Sequence, residues 1–242
     1  MNDNSEKEQR RRAVIGLIGA SAAIALAGIP RRAMPAAAAS TPACVVRPPQ
    51  TEGPYFVDEK LNRADIRAEP AEGAPKAGTE LRLAFNVLRL DGSTCKPLAG
   101  AIVDVWHCDA AGVYSDVVDG KLDMRGKKFL RGYQLTNDDG LARFITIYPG
   151  WYEGRAVHIH FKIRTDAAAR GAREFTSQLY FDDATSDLVF AEAPYAARGK
   201  RERKNADDGI YRRGGKELTL VATKDEKTNI WAATFDIGLQ MK

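Results

Sequence analysis

Leu81-Arg82-Leu83-Ala84-Phe85-Asn86-Val87-Leu88-Arg89-Leu90 largely alternates apolar and polar side chains and runs into Asp91-Gly92. Successive side chains of a strand point to opposite faces, so this stretch reads as a strand with one buried face, closed by a tight turn. The same signature recurs on either side of it. Ala101–Cys108 (AIVDVWHC) follows Gly100, and Leu141–Tyr148 follows Asn137-Asp138-Asp139-Gly140. Val157–Ile163 (VHIHFKI), Glu174–Phe181, Leu218–Thr223 and Ile230–Phe235 complete at least seven candidate strands. No sustained helical period follows residue 39 and no internal repeat is visible. Short strands set off by turn signals predict an all-β fold, a β-sandwich of about seven to nine strands over residues 80–242. Residues 40–79, rich in Pro and Gly, read as an irregular N-terminal arm. Ala191–Gly215 reads as a long charged loop, with Lys200-Arg201-Glu202-Arg203-Lys204 as solvated surface.

The 242 residues are 44% hydrophobic and 28% charged, the balance of an ordinary globular chain able to bury a core. The net charge of +4 is unevenly spread: residues 1–39 hold six basic and three acidic side chains, leaving 30 basic against 29 acidic. The apparent basicity belongs to the leader and gives no support to nucleic-acid binding. That leader is ordered as an export signal: Arg10-Arg11-Arg12, an apolar run Ala13–Ile29, and the small residues Ala36–Ser40. The arginines resemble a twin-arginine signal, although the usual Ser before the pair and Phe-Leu after it are absent. The expectation is a periplasmic or secreted protein with the twin-arginine export machinery as a partner; an uncleaved N-terminal anchor is the alternative. An oxidising destination permits one disulfide among Cys44, Cys95 and Cys108, and the sequence leaves the pair open.

The chemistry concentrates in Tyr148-Pro149-Gly150-Trp151-Tyr152-Glu153-Gly154-Arg155-Ala156-Val157-His158-Ile159-His160-Phe161. Residues i and i+2 of a strand share a face, so His158 and His160 present two imidazoles side by side. Two of the three histidines of the chain converging this way points to metal ligation. No neighbouring Cys or His completes a structural zinc site. Tyr114 and Tyr152 are the candidate further donors. A phenolate is a hard anionic oxygen, and two of them favour a trivalent hard ion such as Fe(III).

These residues bring a family into view. The chain resembles the intradiol ring-cleavage dioxygenases, the non-haem ferric enzymes typified by catechol 1,2-dioxygenase and protocatechuate 3,4-dioxygenase. The resemblance runs through Thr51-Glu52-Gly53-Pro54-Tyr55-Phe56, Gly100–Ser115, Arg131-Gly132-Tyr133-Gln134-Leu135-Thr136, Pro149–Phe161 and Ser177-Gln178-Leu179-Tyr180-Phe181. It implies Tyr114, Tyr152, His158 and His160 as ligands of Fe(III), with Tyr152 also the base that takes a catechol proton. It implies Arg155 beside the substrate ring, where its fixed charge stabilises carbanion character, and Gln178 lining the pocket. Tyr55 would pack the arm against the pocket mouth, Trp106 belongs to the core, and His107, on the opposite face of its strand, is no ligand. The implied reaction uses O2 to open a catechol between its hydroxyl-bearing carbons, giving a cis,cis-muconate-type diacid. No glycine-rich dinucleotide fingerprint calls for nicotinamide or flavin. The leader, Trp106-His107-Cys108 and the long loop before the last strands look like an exported branch of the family.

Two readings compete. A non-catalytic exported β-sandwich binding module would share the scaffold without the metal. A zinc or copper protein would use His158 and His160 without the tyrosines. The ring substituents of a substrate and the oligomeric state are not legible in the sequence.

Overall fold

The computed structural model describes residues 44–70, 73–165 and 173–240; the expected export signal of residues 1–39 lies outside them. β1 (Glu80–Asp91) organises the first sheet. Its Leu81, Leu83, Phe85 and Val87 are buried, while Arg82 between them is exposed. β1 runs parallel to β12 (Ile230–Gln240), antiparallel to β7 (Leu141–Ile147) along its first half and to β2 (Thr94–Pro97) along its second. β11 (Thr223–Asp225) edges β12. The second sheet has the order β10 (Thr219–Leu220), β9 (Glu174–Phe181), β8 (His158–Arg164), β3 (Ile102–Trp106) and β6 (Arg131–Leu135). β4 (Val118–Asp119) and β5 (Leu122–Asp123) make a separate hairpin.

The sheets share one core. Val103, Val105, Ile159, Phe161, Ile163 and Leu179 of the second pack with the inward residues of β1, β7 and β12 of the first. Phe85 sits at its centre, with ring centroids 5.3 Å from Phe161 and 6.1 Å from both Phe144 and Phe235.

This is the expected β-sandwich, with twelve strands among the described residues where about seven to nine were expected. The difference lies in short pieces. The sequence shows no signal for β6, and Leu218–Thr223 does not form one strand: a 3-10 turn over Gly215–Leu218 leads into β10, and β11 starts afresh in the other sheet. One helix, α1 (Asp183–Phe190), follows β9, capped by Asp182, whose side chain accepts from Ala184 N and Thr185 N. Two turns are too few for a helical period to stand out. The charged loop is also less solvated than its composition suggests: Arg201 is buried between Asp183 and Asp187 of α1, and Asn205 and Asp208 are buried.

β8 is buried on both faces. Ile159, Phe161 and Ile163 enter the core, while His158, His160 and Lys162 face outward beneath residues 44–65. This arm is stitched across both sheets. Cys44 is disulfide-bonded to Cys95 of β2, and Gly238 N donates to Val45 O. Gln50 N donates to Thr176 O and Ser177 Oγ to Pro48 O. Lys162 pairs with Glu52 and Arg164 with Asp58. Tyr133 N donates to Leu61 O, and Ile145 N to Ala64 O, carrying the arm over the far edge. Cys108 is the free, buried thiol.

Candidate metal centre

Sheet register sets the first half of the site. His158 lies opposite Tyr180 of β9, and His160 lies between Gln178 of β9 and Trp106 of β3. Trp106 stacks on the His160 ring at 5.0 Å and 9°, fixing the plane of that imidazole. His158 Nδ1 lies 2.7 Å from Ala156 O; donating there, it leaves the Nε2 lone pair facing inward.

Two loops bring the tyrosines. Tyr114 comes from the segment after β3, and Tyr152 from the segment between β7 and β8. The loops touch through glycines: a Cβ on Gly150 would stand 2.5 Å from Asp109 O and Ala110 O, and one on Gly112 (φ +82°) 2.3 Å from Trp151 O. Only residues without a side chain allow this approach, and Gly150 N completes it by donating to Asp109 O at 3.1 Å.

Four donor atoms therefore meet at one point. His158 Nε2 lies 3.0 Å from His160 Nε2, 3.2 Å from Tyr152 Oη and 3.4 Å from Tyr114 Oη. Burial, reinforced by the Arg155 charge, pushes His158 down to about 3; burial and the neighbouring His158 hold His160 well below its ordinary value. Both imidazoles are thus neutral ligands in waiting. His160 Nδ1 is buried without a partner, so its hydrogen bonding does nothing to draw its ring away from the shared point. Burial raises both phenols well above the usual range, with the Arg155 charge opposing the shift at Tyr152. Two neutral nitrogens and two phenols that ionise only beside a strong positive charge suit a hard, highly charged cation. The residues fit Fe(III): Tyr114, Tyr152, His158 and His160 would hold it. Among the described residues no group of three His, Cys, Asp or Glu side chains offers another centre.

Around the donors, Tyr55 of the arm stacks on Tyr114 at 4.4 Å, and its hydroxyl donates to Asp119 of the β4–β5 hairpin. Arg155 Nη1 is 3.4 Å from His158 Nε2, and Nη2 donates to Gln178 Oε1 at 2.6 Å. Gln178 donates in turn to Thr51 O. The Gln178 side chain thus holds both Arg155 and the arm. His107 is not one of the converging donors; its ring nitrogens lie against Cys108 O and Thr146 Oγ1. Sequence reasoning missed Asp208, Tyr180 and Gln50, which surround Arg155 and Gln178. Asp207-Asp208-Gly209 carried a turn signal but no hint of contact with residue 155.

The two-sheet sandwich is an architecture that known proteins share. Residues 51–240 match the family described as Dioxygenase. The chain belongs to the intradiol ring-cleavage dioxygenase family. An intradiol ring-cleavage dioxygenase from Tetranychus urticae is similar over 81% of this chain and 95% of its own, at 30% identity and TM-score 0.69. Chlorocatechol 1,2-dioxygenase of Pseudomonas sp. (strain P51) is 30% identical over 159 residues, 55% of each chain. The protocatechuate 3,4-dioxygenase beta chain of Burkholderia cepacia is 35% identical over 147 residues, 56% of this chain and 60% of the relative. The chain spans about half the length of the curated relatives it matches.

Proposed function

We propose that this protein is an exported intradiol dioxygenase that uses non-haem Fe(III) and O2 to cleave a catechol between its hydroxyl-bearing carbons, yielding a cis,cis-muconate-type diacid. The observation that carries the reading is the convergence of Tyr114 Oη, Tyr152 Oη and His160 Nε2 within 3.0–3.4 Å of His158 Nε2. Ferric iron held by these four residues would supply Lewis acidity toward a catechol.

The two phenols differ in surroundings, and that difference supports separate roles. Tyr114 is 4% exposed and covered by Tyr55, whereas Tyr152 is half-buried. Arg155 favours the anion of both; Tyr114, the more enclosed, would stay with the metal, and Tyr152, the more accessible, would accept the proton of an arriving catechol. Arg155 sits where its fixed charge stabilises the electron-rich ring, and Gln178 keeps the guanidinium turned toward it. Export by the twin-arginine route is supported by the leader's residue order and by the Cys44–Cys95 bridge, a bond that persists in oxidising compartments.

The test is a visible absorption spectrum of the ferric protein before and after catechol is added without oxygen. A broad tyrosinate-to-iron band that moves to longer wavelength on catechol binding is expected. A protein that stays colourless after ferric iron is supplied overturns the dioxygenase reading in favour of a binding module.

A further inference from the structure

Asp208 lies in the loop that the sequence reads as charged surface, yet it is 1% exposed and every lone-pair direction of its carboxylate is used. Oδ2 accepts from Arg155 Nε at 2.9 Å and from Ala156 N at 2.8 Å. Oδ1 accepts from Ile210 N at 2.6 Å and Tyr211 N at 3.1 Å. Burial alone would favour the neutral acid, but the Ala156 amide, the Arg155 charge and the Ile210 and Tyr211 amides outweigh it and hold the group ionised. The carboxylate thus grips the guanidinium from behind while the amides of its own loop fix the carboxylate.

The rest of the guanidinium is held by a second chain of bonds. Nη2 donates to Gln178 Oε1 and lies 3.5 Å from Tyr180 Oη. Gln178 Nε2 is committed to Thr51 O, and Gln50 Nε2 to Ile210 O and Arg213 O. Those commitments orient both amides and leave the Tyr180 hydroxyl two acceptors, Gln50 Oε1 at 2.8 Å and Gln178 Oε1 at 3.0 Å. With Nε and Nη2 both occupied, Nη1 is left pointing at the donor cluster, 3.4 Å from His158 Nε2. A guanidinium is a planar fork, so fixing Nε and Nη2 fixes the direction of Nη1 as well.

We infer that Asp208 is the positioning residue of the site: by binding Arg155 Nε and the Ala156 amide at one oxygen, it sets the direction in which Arg155 presents its charge to the bound substrate. The inference rests on the proposed dioxygenase reading and adds to it a residue from a distant loop. Asp208 reaches no donor atom of the metal cluster; its side-chain contacts toward the site are Arg155 Nε and the Ala156 amide.

Asp208→Asn tests this. An amide offers one oxygen where the carboxylate offers two, so its NH2 must face one pair of N–H donors. In the iron-loaded enzyme kcat is expected to fall by about 10- to 100-fold, the cost of a misdirected catalytic charge, with KM changed much less. In the Arg155→Gln background the same substitution is expected to change kcat by less than about twofold, because the group it acts through is gone. A readout independent of iron and turnover is the Arg Nε–H signal of the 15N-arginine-labelled apoprotein. Wild type should show a slowly exchanging Nε–H that disappears in Arg155→Lys and becomes fast-exchanging in Asp208→Asn.

An equal loss of kcat in both backgrounds would mean a purely structural loop role and overturn the inference. So would the absence in wild type of a protected Nε–H that Arg155→Lys removes, a measurement that holds even should Asp208→Asn not fold. If the wild-type protein binds catechol and turns over while these tests fail, the positioning role alone falls. If the wild type shows no iron colour or turnover, the dioxygenase reading falls, and the apoprotein signal still decides whether Asp208 holds Arg155.

Discussion

Replacing Cys44 and Cys95 together by Ala removes the covalent tie between the arm and β2. The two cysteines are 51 residues apart, and freeing a loop of that length in the unfolded chain costs the folded state about 4 kcal/mol on the chain-entropy account. For a folded unit of this size that corresponds to a fall in Tm of roughly 10 °C. The folded arm should keep its course nonetheless. Val45, Pro48, Gln50 and Thr51 are each hydrogen-bonded to the sheets, and Arg47 donates to Asp236 O and Glu217 O. Turnover of the iron-loaded enzyme at 25 °C is therefore expected to stay within about twofold of wild type, since these bonds, each contributing about 1 kcal/mol, already fix the arm. The assay is guanidinium unfolding of wild type and variant without reductant, followed by tryptophan fluorescence, with thiols counted in the denatured wild type. One thiol, that of Cys108, should react. A stability loss below about 1 kcal/mol, or three reactive thiols, would refute the reasoning, because the unfolded wild type would then lack the 51-residue constraint.

Tyr114→Phe and Tyr152→Phe should each remove most of the visible band and lower turnover by at least about 100-fold, read by absorbance and oxygen uptake; retention of colour and metal by both would favour a centre built on the histidines alone. Phe85→Ala, at the meeting point of three other phenylalanine rings, should cost about 3–5 kcal/mol in chemical denaturation. His107 is fully buried, and burial lowers it to about 4 against 6.5 for an exposed histidine. Its folded value is depressed, so the unfolded chain binds the proton first as pH falls. The stability it contributes is complete above pH 6.5 and lost between 6.5 and 4, about 3 kcal/mol in all. His107→Gln should flatten the pH dependence of the apoprotein's unfolding free energy across that window by this amount. The comparison between variant and wild type cancels the opposite trend of Asp104, which burial raises to about 6. An unchanged pH profile would show that His107 is solvated or already protonated in the folded state.

The site was legible in the sequence to the extent that its chemistry is local. His158 and His160 share a face because strand geometry has a period of two, and that holds whatever the strand packs against. The alternating run of β1 announced a half-buried strand for the same reason, and the turn residues around it announced the sheet. Tyr114 and Tyr152 stood as candidate oxygen donors on their chemistry, but only the resemblance to a family joined them and Arg155 to the histidines, since no backbone period links position 114 to 152. Their meeting depends on two loops touching at Gly112 and Gly150, a contact between segments far apart in the chain.

By itself, then, the sequence determined the fold class and set His158 and His160 on one face, both of which follow from local periodicity, and it offered Tyr114 and Tyr152 as candidate donors beside them. Tertiary structure alone decided that the outer face of β8 is buried, because the arm that covers it has no pattern of its own and is held by bonds to both sheets. It also decided which cysteines pair, and that Asp208 reaches Arg155 across 53 residues of chain. A buried charge takes its meaning from the partner that satisfies it, and that partner is chosen by packing in three dimensions rather than by spacing along the chain.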